Sequence, residues 1–201
     1  MRNILIGLSY VLHPLFIPLM GSLYYFSITT RYSTPAFTSS RLLSIGILTA
    51  VVPLVIFQML KVVGIVSSIH LPKVSERKTP LMAYCILLVL VLRGVLTHGV
   101  FPELYYFFLG ILFSALTALF LAIVRFKASL HLMSMGGLLV FLLSSSLYYG
   151  INPLLTLIPA VICTGALATS RLLVKAHTVI ELSIGFCIGT IPQVLVIAYY
   201  F

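Results

Sequence analysis

Leu104-Tyr-Tyr-Phe-Phe-Leu-Gly-Ile-Leu-Phe-Ser-Ala-Leu-Thr-Ala-Leu-Phe-Leu-Ala-Ile-Val124 runs without a single charge until Arg125 closes it. At a rise of about 1.5 Å per residue, a helix of this length matches the hydrocarbon thickness of a bilayer. Lipid offers no hydrogen bonds, so such a stretch must satisfy its own backbone as a helix. Six further apolar runs flank it, at 4–27, 42–67, 81–97, 131–149, 153–169 and 177–200. Apolar residues make up 61% of the chain, charged residues 7%, and the mean hydropathy is +1.22, outside the range of soluble domains. These features predict an all-α, polytopic transmembrane bundle of six or seven helices, with residues 1–201 forming one domain. The runs 131–149 and 153–169 are parted only by the turn Gly150-Ile151-Asn152-Pro153. The first run lacks the charged n-region and small-residue cleavage site of a signal peptide, and Pro14 and Pro18 interrupt it. It reads as a retained helix.

Other classes are disfavoured by what the chain lacks. Cys85, Cys163 and Cys187 sit inside apolar runs with no metal-ligand spacing, and read as small buried hydrophobes. The net charge of +9 is spread over short loops without a basic run, which suits lipid headgroups and membrane topology rather than nucleic acid.

Within this apolar chain the carboxylates are only Glu76, Glu103 and Glu181, and there is no Asp. Glu181 lies four residues after His177, among Ile180, Leu182 and Ile184. On a helix that spacing stacks the two side chains on one face, where a carboxylate fixes the imidazole tautomer and raises the basicity of the free nitrogen. An ionisable pair at membrane depth is expensive and marks a functional site by default. Arg171 precedes His177 by six residues, about 240° around a helix. Both face one ligand only if the helix breaks between them.

If all seven runs cross, the loops after 42–67, 104–124 and 153–169 emerge on one side. They carry Lys73, Arg77 and Lys78; Arg125, Lys127 and His131; and Arg171, Lys175 and His177. The opposite loops hold Arg31, Arg41, His98 and Glu103. Cations gathered on one face are the inventory of a phosphate site, with Arg for bidentate contacts and Lys as a point charge.

Three motifs on that face resemble the type 2 phosphatidic acid phosphatase superfamily, integral-membrane lipid phosphatases related to vanadium haloperoxidases. The family carries a Lys…Arg-Pro motif, a Pro-Ser-Gly-His motif and Ser-Arg-x5-His-x3-Asp. Ser170, Arg171 and His177 match the third at full spacing, with Glu181 in place of Asp. Ser129 and His131 match the second, with Ala128 and Leu130 replacing its Pro and Gly. Lys73, Arg77 and Pro80 approximate the first. The resemblance implies a metal-independent lipid phosphate or pyrophosphate phosphatase that needs no cofactor. His177 would be the nucleophile, forming a phosphohistidine, with Glu181 orienting it and His131 as general acid and base. Lys73, Arg77, Ser129 and Arg171 would bind phosphate, with Lys78, Lys127 and Lys175 as second candidates. It also implies a multi-pass protein of a cell membrane, the bacterial inner membrane, with a lipid phosphate as substrate. Positive-inside counting leans towards a cytoplasmic active face. Two alternatives stay open: a catalytically degenerate lipid-phosphate binding protein or transporter, and a zinc-dependent intramembrane hydrolase using His131, His177 and Glu181.

Overall fold

The computed structural model describes residues 2–31, 33–68, 71, 73–96 and 99–200, with side chains from Gly7 onward. Six helices are long and apolar enough to cross a membrane: α3 (Pro35–Val62), α4 (Val74–Val95), α5 (Pro102–Ile123), α6 (Leu130–Tyr148), α7 (Leu154–Leu173) and α8 (Val179–Tyr200). Two shorter ones precede them, α1 (Arg2–Val11) and α2 (Ile17–Ile28). The chain is therefore a multi-pass, all-α membrane protein.

The first apolar run is two helices rather than one, because residues 12–16 form a turn around Pro14. Proline fixes φ and lacks an N–H, and Pro18 is tolerated because it sits in the first turn of α2. Three boundaries differ by about five residues or more from those the apolar runs suggested. α3 starts at Pro35, where the Thr34 hydroxyl accepts from the Phe37 N–H at 3.3 Å, and it ends at Val62 rather than 67. α4 starts at Val74 rather than 81. Hydrophobicity alone misses the two starts because their first turns are polar, and it overruns the end of α3 because Val63, Ile65 and Val66 stay apolar past the turn at Gly64, which takes φ 80. His98, counted among the opposite loops, lies outside the described residues.

Pro53 has a local consequence. It cannot donate to the Thr49 carbonyl, and the preceding turn, Ile47–Val51, widens to π geometry with the Val52 N–H reaching Ile47 O. α4 widens likewise over Val91–Val95, and Arg41 Nη1 donates to the Val95 carbonyl at 2.6 Å, capping that end.

The helices alternate in direction, so one end of the bundle collects the starts of α4, α6 and α8. The other end is pinned by a buried ionic knot. Glu103 accepts from Tyr25 Oη at 2.9 Å and from Arg31 Nη2 at 2.8 Å, tying α2 to the start of α5. That carboxylate holds the Arg31 guanidinium well above its ordinary pKa.

α6 and α8 run parallel and approach closely along small residues. A Cβ on Gly189 would meet Met133 O, and one on Gly185 would meet Ser129 O at 2.5 Å. Small residues spaced by four let helix backbones touch in lipid, where packing rather than hydrophobicity drives association. This contact fixes the height of Ser129 against α8. Phe107 fills the neighbouring layer, stacked on Phe141 at 4.0 Å and pressed against Gly21.

Gly189→Ala should therefore destabilise the bundle by about 1–3 kcal/mol, the usual range for forced overpacking. Gly165→Ala, whose Cβ meets nothing within 4 Å, should stay within about 0.5 kcal/mol of wild type. Thermal unfolding of the two variants in detergent checks the contrast.

Candidate functional site

The link between α7 and α8 supplies the break that the Arg171–His177 spacing requires. α7 stops in a Schellman-type turn: Ala176 N donates to Arg171 O at 3.0 Å and Lys175 N to Leu172 O at 2.9 Å. Lys175 sits at φ 52, a left-handed position usually given to glycine. α5 ends the same way with Arg125 at φ 65. A cation there opposes the partial negative charge of the helix end. Arg171 thus occupies the last turn of α7, and His177 lies just before α8.

His177 Nδ1 lies 2.8 Å from Glu181 Oε2, one turn below it. The same oxygen accepts from the Thr178 N–H at 3.1 Å, while Glu181 N donates to Thr178 Oγ1 at 3.3 Å. Thr178-Val-Ile-Glu181 is thus a capping box that starts α8. The Glu181 carboxylate does two jobs: it satisfies a helix end and it accepts a hydrogen bond from the Nδ1–H of His177. Nε2 is then the nitrogen left for chemistry.

The starts of α4 and α6 are bound to this corner. Arg77 is buried and donates from Nη1 to Ala128 O at 2.6 Å and from Nε to Leu71 O at 3.3 Å. Ser129 N donates to Glu181 O at 3.0 Å, and Lys127 Nζ to Ala176 O at 2.8 Å. Three sequence-distant helix ends are therefore locked by charged side chains on carbonyls.

These groups open onto one cavity of about 530 Å³. Its polar end is lined by Arg77, Lys127, His131, Arg171, Lys175 and His177. Its other end is apolar, lined from α3 by Leu54, Ile56 and Phe57 and from α4 by Leu81, Tyr84 and Leu87. A third wall comes from the N-terminal helices through Ser9, Tyr10 and His13. The carbonyl of Ser9 is 3.2 Å from His131 Nε2, its hydroxyl accepts from Arg171 Nη2, and the His13 and His131 rings meet edge to face at 5.4 Å.

The electrostatics are one-sided. Among the described residues, no carboxylate lies within ion-pair distance of Arg77 or Arg171, although both are buried. Arg171 Nε has no hydrogen-bond partner among the described residues. Burial is the main influence on Lys127, and with the nearby Arg77 charge it pulls the ammonium pKa down against the pull of Glu181. Burial likewise pushes His177 down to about 4, helped by the charges of Arg77 and Lys127 and opposed by its hydrogen bond to Glu181. Burial therefore favours the neutral imidazole at His177 near neutral pH.

The structure gathers Arg77, Lys127, His131, Arg171, His177 and Glu181 at one corner, as the loop parity suggested. It does not bring Lys73, Lys78 or Ser129 into the cavity. Lys73 is exposed and 4.0 Å from Glu76, a pair of little energetic consequence. Lys78 opens the α-helical part of α4, half-buried and off the cavity lining. Ser129 is fully buried as the N-cap of α6, its hydroxyl accepting from Leu132 N at 3.5 Å. The zinc reading needs His131, His177 and Glu181 around one ion; among the described residues no three His, Cys, Asp or Glu side chains gather in that way. Ser9, His13 and Tyr84 were missed by sequence reasoning. The signal for His13 is its place beside Pro14, a polar residue at the break of an apolar run.

The His177 titration follows from these neighbours. Its imidazole should stay neutral down to about pH 4, where an ordinary histidine charges near 6.5. Glu181→Gln should move that midpoint lower still, because it removes the partner that favours the proton. Histidine ring resonances of the labelled protein in detergent, followed against pH, read both.

No protein-family model matches this chain, and comparison with curated proteins and with solved structures finds no significant match to either.

Proposed function

We propose that the cavity binds the phosphate of a membrane lipid and that His177 cleaves it, making the chain a metal-independent lipid phosphate or pyrophosphate phosphatase. The observation that carries this reading is the pair of buried guanidiniums, Arg77 and Arg171, facing one cavity with no carboxylate in ion-pair contact with either among the described residues. Desolvating a guanidinium costs several kcal/mol unless an anion compensates, and Arg matches phosphate in bidentate fashion. The apolar half of the same cavity suits the chain of a lipid.

In the reaction, Nε2 of neutral His177 attacks phosphorus. The N–P bond forms as the bond to the lipid oxygen breaks, and His131 passes a proton to that leaving oxygen. Water, deprotonated by His131, then cleaves the phosphohistidine and releases inorganic phosphate. Arg77, Arg171 and Lys127 hold the phosphoryl oxygens as charge grows on them, the role that metal ions fill in other phosphoryl-transfer enzymes. Glu181 stabilises the positive charge that develops on His177. A cell membrane is the setting this substrate implies.

A second reading, a lipid-phosphate binding protein or transporter without turnover, draws on one observation. His131 Nε2 is engaged by Ser9 O, so the general acid does not point freely at a substrate.

Release of inorganic phosphate from a panel of detergent-dispersed lipid phosphates separates the two. Turnover that vanishes in His177→Ala and falls about 10²–10⁴-fold in Glu181→Gln supports the phosphatase. Full activity in His177→Ala would remove this residue from the chemistry, and saturable binding with no phosphate release would favour the second reading.

A further inference from the structure

α1 ends at Val11, so the carbonyls of its last turn have no partner within the helix. The helix dipole places about half a negative charge at that end. This end is set against the most cationic corner of the protein. Ser9 alone engages two site residues, its hydroxyl accepting from Arg171 and its carbonyl lying within reach of His131 Nε2. Arg171 is buried without a carboxylate partner, and its Nε is unsatisfied. Arg171, a proposed phosphate ligand, and His131, the proposed general acid, are thus both held by a neutral serine at the negative end of a helix.

We propose that the C-terminal end of α1 is a built-in surrogate anion, a stopper whose Ser9 stands in for two phosphate oxygens and which the substrate must displace. The inference rests on the phosphate reading of the cavity. Competition favours the substrate, because an ionised phosphate offers Arg171 a charged, bidentate partner where Ser9 offers one neutral hydroxyl. α1 has ten residues, below the length at which a helix is stable alone, so its place in the cavity wall depends on what it packs against. Displacement would also free His131 Nε2 from Ser9 O, so opening the cavity and releasing the general acid are one event. The engaged His131 is then the resting state of an enzyme rather than evidence against turnover.

The test titrates the full-length protein in detergent with orthovanadate, a phosphate mimic, comparing wild type, Ser9→Ala and Ser9→Thr. Removing the competing hydroxyl should tighten vanadate binding about three- to tenfold, whereas Ser9→Thr, which keeps it, should bind as wild type does. Unchanged or weaker binding in Ser9→Ala would make Ser9 a strut or a ligand and overturn the stopper. Amide exchange on the wild type tests the same point without a variant. Saturating vanadate should speed exchange in residues 7–12, the reverse of ordinary ligand protection, and protection there would also overturn it. If neither wild type nor Ser9→Ala binds vanadate, the phosphate reading of the cavity itself falls.

Discussion

Two guanidiniums sunk below the ends of membrane helices, neither in an ion pair among the described residues, set the terms for everything around them. A charge in that position needs compensation, and beyond the through-space pull of Glu181 on Arg77 the contacts are with dipoles. Arg77 rests on the Ala128 and Leu71 carbonyls, Arg171 on the Ser9 and Ser170 hydroxyls, and Lys127 on the Ala176 carbonyl. Each of these acceptors belongs to a helix end or to the link between two helices. The cations therefore organise the corner structurally before any ligand arrives, and they remain under-compensated once they have done so. In the proposed function an anion completes them.

The same economy appears at Glu181. In a bundle with so few carboxylates, this one caps α8, accepts a hydrogen bond from His177 and exerts its charge on Lys127. A carboxylate committed to a capping box is held rigidly by the helix it starts. That rigidity is what an orienting partner for a nucleophilic imidazole requires. Structural and chemical roles coincide here, and the helix end is the reason they can.

The membrane helices were legible because charge-free runs of sufficient length have one solution in lipid. α1 and α2 were not, since hydropathy does not register the turn that Pro14 forces. The Arg171–His177 break was also legible, because residues six apart on one helix cannot share a ligand, and the turn at Lys175 satisfies that condition. Glu181 was singled out by its spacing from His177, and the structure pairs the two side chains, yet its capping box with Thr178 went unread although the Thr-x-x-Glu pattern is plain in the sequence. Ser129 looked like a phosphate ligand from its place two residues before His131. The close approach at Gly185 and the cap on Leu132 bury it instead. Lys73 and Lys78 shared the right loop but not the cavity, because loop parity gives a face and not a direction. The wall made by Ser9 and His13 lies more than a hundred residues from the groups it touches, beyond the reach of any local pattern.

The central claim is that His177 is the group that meets phosphorus in this cavity. It is tested most directly by mixing the protein with a lipid phosphate carrying a radioactive phosphoryl group, quenching in base and mapping the label by mass spectrometry. The account requires an acid-labile, base-stable phosphoryl group on His177, absent from His177→Ala. Turnover of the lipid with no label on His177, or a label that survives His177→Ala, would contradict it.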